Sequence, residues 1–132
     1  MKKLSVYVAG PIGSHADWDA LQVRVNAALD TGILLASLGF VPIVPHWTAL
    51  RRHAFDIITY EDWMAIDFRM IEMCDALFRM PGISPGADRE VVHAQSLHTP
   101  VFCDIEELAL WGSTRTPQLC GWCGGPTIRI DP

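Results

Sequence analysis

Three side chains in this sequence, Glu90, Asp67 and Tyr7, have types and positions that could carry chemistry. Glu90 lies in "SPGADREVVHAQ", residues 84–95. That segment opens with a helix-start signature of serine, proline and glycine. Ala87, Val91, Ala94 and Leu97 form its apolar stripe, and Glu90 stands at the border of that stripe. Partial burial disfavours a carboxylate's charge, whereas a helix N-terminus favours it. Glu90 is therefore expected to be held ionised, poorly solvated and turned toward the sheet, although acids are also common in first helical turns for capping reasons alone. Asp67 falls inside a second stripe, Trp63, Met70, Ile71 and Cys74. A carboxylate there is costly unless it is paired or has a chemical task. Tyr7 lies two residues before the end of an apolar run and reads as a core tyrosine whose hydroxyl bonds to something nearby.

Two glycine-containing loops accompany these residues. Gly10-Pro11-Ile12-Gly13 allows backbone to approach a ligand, but it matches neither GxGxxG nor GxxxxGK[ST], so neither a dinucleotide fold nor a P-loop is indicated. Ser84-Pro85-Gly86 offers a capping serine and free N–H groups that suit an anion. His46 and Trp47 follow a short strand on the same rim, and Trp47 or Trp18 offers a stacking surface for a base. His15, His46, His53, His93 and His98 show no metal-ligand spacing. Cys120-Gly-Trp-Cys123 is half of a zinc spacing without its second half, and it reads as a turn in a tail. No metal and no cofactor are expected.

The elements that must position these groups alternate. Residues 4–10 and 40–45 read as strands separated by a helix over 18–38, stopped by Gly39. Pro42 and Pro45 mark the second strand as an edge. Residues 46–58 form an irregular connection, and Thr59-Tyr-Glu-Asp62 resembles a capping box that opens a helix through about residue 73. A third strand over 75–80, the Glu90 helix to about residue 98, a fourth strand over 100–105 and a short helix over 106–111 follow. The order predicts an α/β fold, a flavodoxin/Rossmann-like three-layer sandwich with a mainly parallel sheet of four or five strands. Ligands in such folds bind beyond the carboxyl ends of strands at a switch in strand order, where the loops after strands one and three should meet. Residues 1–111 read as one domain, and 112–132 as a tail in which "TIRI" adds an edge strand or reaches a neighbouring subunit.

With 132 residues, half of them hydrophobic and 19% charged, the chain suits one globular domain. A net charge of −5 gives no general attraction to a nucleic acid polymer or an anionic membrane. The apolar run after Met-Lys-Lys breaks at Gly10-Pro11, so it reads as a strand rather than a leader, and a cytoplasmic location is expected. Cysteines are then expected as thiols.

Four segments over residues 4–103 together resemble the nucleoside 2-deoxyribosyltransferase superfamily, which includes the 2'-deoxynucleoside 5'-monophosphate N-glycosidases. They are "VYVAGPIG", "DFRMIEMCDALF" with Asp67 and Asp75, "SPGADRE" and "AQSLHTPVF". The resemblance implies that Glu90 is a nucleophile that attacks the anomeric carbon of a deoxyribose. Asp67 then holds the sugar or aids proton transfer, and Tyr7 positions the nucleophile. The ester intermediate is resolved by water or by another base. Typical transferases in that superfamily carry an acid where this chain has Ser84. The monophosphate glycosidases carry a serine that binds phosphate, which favours a nucleotide substrate and hydrolysis. The loop after Gly10 lacks the arginine those glycosidases use, leaving Arg24, Arg51, Arg52 and Arg89 as candidate cations. Residues around 46–60 are expected to read the base. Base exchange is the alternative activity, and a non-catalytic nucleotide-binding domain is a third reading. By resemblance, a homodimer or higher homo-oligomer is expected.

Overall fold

The computed structural model describes residues 3–13, 16–115, 118–119 and 126–127. Four strands, β1 (Ser5–Ala9), β2 (Val41–Ile43), β3 (Ala76–Arg79) and β4 (Val101–Phe102), form one sheet in the order β2-β1-β3-β4. Every pairing in it is parallel. Four helices, α1 (Trp18–Ser37), α2 (Tyr60–Glu72), α3 (Pro85–Ser96) and α4 (Ile105–Arg115), connect or follow the strands. Residues 46–58 contain two 3₁₀ turns, Pro45–Leu50 and Arg52–Asp56.

Strand alternation divides the core into two layers. Val6, Val8, Ala76 and Phe78 face Leu35 of α1 and Leu108 of α4. Tyr7, Ala9 and Leu77 face Ile71 of α2 and Ala87 and Ala94 of α3. The chain is thus a doubly wound α/β sandwich. Its strand order reverses between β1 and β3, which opens a crevice at their carboxyl ends.

Local signals set the boundaries. Asp17 caps α1 by accepting from the Ala20 N–H at 3.2 Å. Thr59 and Asp62 form the reciprocal capping box of α2, with bonds of 3.0 and 3.1 Å. Ser84 caps α3 by accepting from the Ala87 N–H at 3.1 Å, with Pro85 in the first turn. At the far, amino-terminal end of the sheet, Asp75 accepts from the Ser5 N–H at 2.8 Å and from its hydroxyl at 3.1 Å, tying β1 to β3. Asp75 is therefore a strand-end clasp remote from the crevice.

The four-stranded parallel sheet agrees with the expected α/β sandwich, and the only antiparallel pairing among the described residues joins Gln118–Leu119 to Pro126–Thr127 outside it. One expectation changes. Helix α4 runs to Arg115, past residue 111 where a tail was expected. "GSTR" looks like a helix end, but Gly112 is buried, and a Cβ there would stand 2.6 Å from Cζ of Phe40. The glycine lets α4 pack closely on Phe40 rather than ending the helix. Cys120, Cys123 and most of "TIRI" lie outside the described residues.

Candidate active site

The crevice holds a cavity of about 540 Å³. The loops after β1 and β3 form its floor. They pack on one another: Gly82 has φ +115°, and a Cβ there would meet Pro11 Cγ at 2.9 Å. Glycine at 82 supplies both the left-handed turn and the close approach. Gly10, Pro11, Ile12 and Gly13 line the cavity on one side, and Ser84, Gly86 and Ala87 line it on the other.

One face of α2 makes a wall. Tyr60, Trp63, Met64 and Asp67 all line the cavity, at the i, i+3, i+4, i+7 spacing of a single helical face. Further along the same face Ile71 turns into the core. The stripe read from the sequence therefore splits, with an upper half for the cavity and a lower half for packing. Phe55, Thr48 and Ala49 from the irregular connection, and Arg24 from α1, complete the enclosure. Arg24 donates to the Ile12 carbonyl at 3.4 Å.

Tyr7, Asp67 and Glu90 converge at the base of the cavity. Tyr7 is fully buried, Asp67 is 8% exposed and Glu90 is 5% exposed. The Tyr7 hydroxyl donates to Oε2 of Glu90 at 3.0 Å. Burial, and then the neighbouring Glu90 and Asp67 carboxyls, push the Tyr7 hydroxyl far above the usual phenol range, so it stays a neutral donor. Burial, followed by Asp67, pushes the Glu90 carboxyl up to about 9, while Tyr7 and Arg79 pull it down. Asp67 is also raised by burial, but hydrogen bonds from Glu90 and Tyr7 lower it. Burial thus favours the neutral form of both carboxyls, and the two titrate as a coupled pair that holds a proton more readily than free carboxyls do.

This corrects the expectation that Glu90 rests ionised. Pro85 is the first residue of α3, so Glu90 lies in its second turn, beyond the reach of the helix-end charge. Burial then dominates.

The other residues singled out in the sequence separate. His46 is 1% exposed and does not line the cavity; its Nε2 lies 3.1 Å from the Gly10 carbonyl and donates to it as the neutral tautomer. Burial holds its pKa below the ordinary histidine value. It buttresses the first loop from behind. Trp47 is 61% exposed and does not line the cavity. Trp18 packs against Leu21 and Val25. Arg89 is committed to Glu61 at 3.0 and 3.2 Å and lies over the Tyr60 ring, so Arg24 is the arginine brought to the cavity. Among the described residues no group of three or more histidine, cysteine or acidic side chains could hold a metal ion. No helix among them is long and apolar enough to cross a membrane.

Fold and cavity together define a doubly wound α/β protein with a ligand crevice at its switch point. The same architecture occurs in the 2-deoxyribosyltransferase of the psychrotolerant bacterium Bacillus psychrosaccharolyticus. That structure aligns with a TM-score of 0.52 and 19% identity over 76% of this chain and 75% of that one. Residues 4–103 match the family described as Domain of unknown function (DUF4406), and the chain belongs to that family. No curated protein matches it.

Proposed function

We propose that this protein cleaves the N-glycosidic bond of a 2'-deoxynucleoside 5'-monophosphate or deoxynucleoside through a covalent deoxyribosyl ester on Glu90. The observation that carries the reading is the buried Tyr7–Glu90–Asp67 cluster on the wall of a nucleotide-sized cavity. Two carboxyls that share one proton are suited to a displacement that needs both a nucleophile and an acid.

In the first step the shared proton passes from Glu90 to Asp67. A Glu90 oxygen attacks C1' from one face of the sugar. The C1'–N bond breaks, its electron pair leaves with the base, and Asp67 delivers the proton to a base nitrogen. Tyr7 keeps the nucleophile aimed by its hydrogen bond. In the second step Asp67 accepts a proton from water, the water oxygen attacks C1', and the Glu90 carboxylate is released. A 2'-deoxy sugar favours this route because no 2'-hydroxyl withdraws electrons from the cationic transition state, which the pair's negative charge stabilises.

Ser84 and Arg24 support a 5'-phosphate on the substrate. The Ser84 oxygen accepts from Ala87, which leaves its O–H proton for a phosphate oxygen, and Arg24 supplies a cation across the same cavity. Tyr60, Trp63 and Phe55 supply apolar and stacking surface for the base.

The test is base release from each deoxynucleoside and deoxynucleotide, with and without an acceptor base. Release without acceptor supports hydrolysis, and product formed only with acceptor supports base exchange. Absence of turnover, with nucleotide binding that survives Glu90→Ala, would overturn the enzymatic reading in favour of a binding domain.

A further inference from the structure

Arg79 is the last residue of β3 and pairs in register with Ala9. Alternation places it on the face of the sheet that also carries Tyr7 and Leu77, directly under the Glu90 helix. Its side chain is only 12% exposed. An arginine so placed needs partners, and its planar fork has three. One arm donates to the Met80 carbonyl. The other donates to the Gly82 carbonyl at 3.0 Å and to Oδ1 of Asp88 at 3.0 Å.

These partners belong to different parts of the site. Met80 follows the strand end, and Gly82 is the left-handed residue that seats the second loop against Pro11. Asp88 lies in the first turns of α3, two residues before Glu90. One guanidinium therefore ties strand, loop and catalytic helix together. Simple ion-pair stabilisation is a poor account of it, because Asp88 is 72% exposed and such pairs contribute little. Asp67 from α2, Tyr7 from β1 and Arg79 from β3 act on the Glu90 carboxyl, and Arg24 from α1 lines the same cavity. Arg79 is the cation among them that lowers the Glu90 carboxyl.

We propose that Arg79 is a positioning residue for the Glu90–Asp67 pair. Its fork fixes the loop over 80–84 and the first turn of α3, and its charge offsets the negative charge the pair carries, so that Glu90 can shed its proton and attack. The kinetic half of this inference rests on the glycosidic reading above; the electrostatic half does not.

The experiment uses the full chain with carbon-13 carboxyl-labelled glutamate and aspartate, as wild type, Arg79→Met, Arg79→Lys and Asp88→Asn. In Arg79→Met the upper titration of the pair, followed by carboxyl chemical shift, should rise by on the order of half a unit or more. Both limbs of the kcat profile should move to higher pH with it, and kcat should fall roughly tenfold or more, with less change in KM. Arg79→Lys keeps the charge and loses the fork. Its titration should stay near wild type while kcat still falls. Asp88→Asn should give a smaller drop in kcat.

A folded Arg79→Met protein with wild-type titration and unmoved pH limbs overturns the proposal. If Arg79→Met does not fold, the lysine and asparagine variants decide: wild-type kcat in both overturns it. If wild type releases no base from any substrate, the glycosidic reading fails by itself, and the carboxyl titration still tests the role of the arginine.

Discussion

The two faces of the sheet are made by the same strands, yet they are filled differently. Toward α1 and α4, the buried layer is apolar from end to end: Val6, Val8, Phe78, Leu35, Phe40 and Leu108. Toward α2 and α3, the same alternation supplies Tyr7, Ala9 and Leu77, but near the carboxyl ends it also meets Asp67, Glu90 and Arg79. Nearer the amino ends, that second face is apolar as well, with Ile71 and Ala94 fully buried. Burying ionisable groups costs stability, and among the described residues the buried carboxylic acids, Asp67 and Glu90, stand at the corner where the strand order opens a cavity. The first face holds the molecule together, and the second gives up some of its packing for chemistry.

The sharpest way to break this comparison is to exchange the consequences of mutation on the two faces. Glu90→Gln removes the nucleophile and keeps the shape, so base release should fall by about a thousandfold or more, which is roughly 4 kcal/mol of barrier. Phe78→Ala, on the opposite face, should lower unfolding free energy by about 3–5 kcal/mol in denaturant melts while leaving kcat per folded molecule near wild type. A large kcat loss in Phe78→Ala at unchanged stability would contradict the division of labour. Asp67→Asn should slow base release by about a hundredfold to a thousandfold and remove the alkaline limb of the pH–rate profile, because that limb reports loss of the shared proton.

Stability against pH gives a smaller but independent contrast. Glu90 has its folded pKa raised to about 9 from 4.5. Below 4.5 both the folded and unfolded states hold the proton and no stability is lost. Between 4.5 and about 9 only the folded state holds it, so stability falls as pH rises across that window. Glu90→Gln should flatten the decline and raise stability at pH 7 to 8 by on the order of 1–3 kcal/mol. Thermal melts of both proteins across pH 5 to 9 check this; parallel curves would mean that Glu90 is not held protonated.

Much of the first face and the frame of the second was legible in the residues. Alternation in β1, proline in β2, the Thr59 capping box and the Ser84 cap are local signals, and the structure follows them. Tyr7, Asp67 and Glu90 could be singled out because each is a polar group in or beside an apolar pattern, but their meeting in one cluster is a product of the fold. The aromatic wall was not, although Tyr60, Trp63 and Met64 share one helical face with Asp67. A tryptophan on an apolar stripe reads as core, and nothing local says that the stripe overhangs a cavity. The irregular connection hid more. In a 3₁₀ turn adjacent residues can face opposite ways, so His46 points inward behind Gly10 while its neighbour Trp47 faces solvent. Nothing local marks Arg79, because its partners lie in a loop and a helix that only the fold brings near.

The finest distinction within the polar corner is between sugar and phosphate recognition, and Ser84 isolates it. Aspartate caps helices about as well as serine, so Ser84→Asp should leave α3 and overall stability unchanged. What it changes is charge. A carboxylate close to a bound phosphate repels it by about 1–3 kcal/mol in a partly solvated cleft, which corresponds to roughly a tenfold to hundredfold rise in KM. The rise should appear with deoxynucleoside monophosphates and be absent with deoxynucleosides, which bring no charge to that corner. Arg24→Met should act in the same direction and on the same substrates, more weakly, because Arg24 also bonds the Ile12 carbonyl and is only partly available. Measured KM ratios between each nucleotide and its nucleoside decide the matter. Equal effects on both substrates would place the phosphate elsewhere and leave Ser84 as a helix cap alone, while the chemistry assigned to Glu90 and Asp67 would stand.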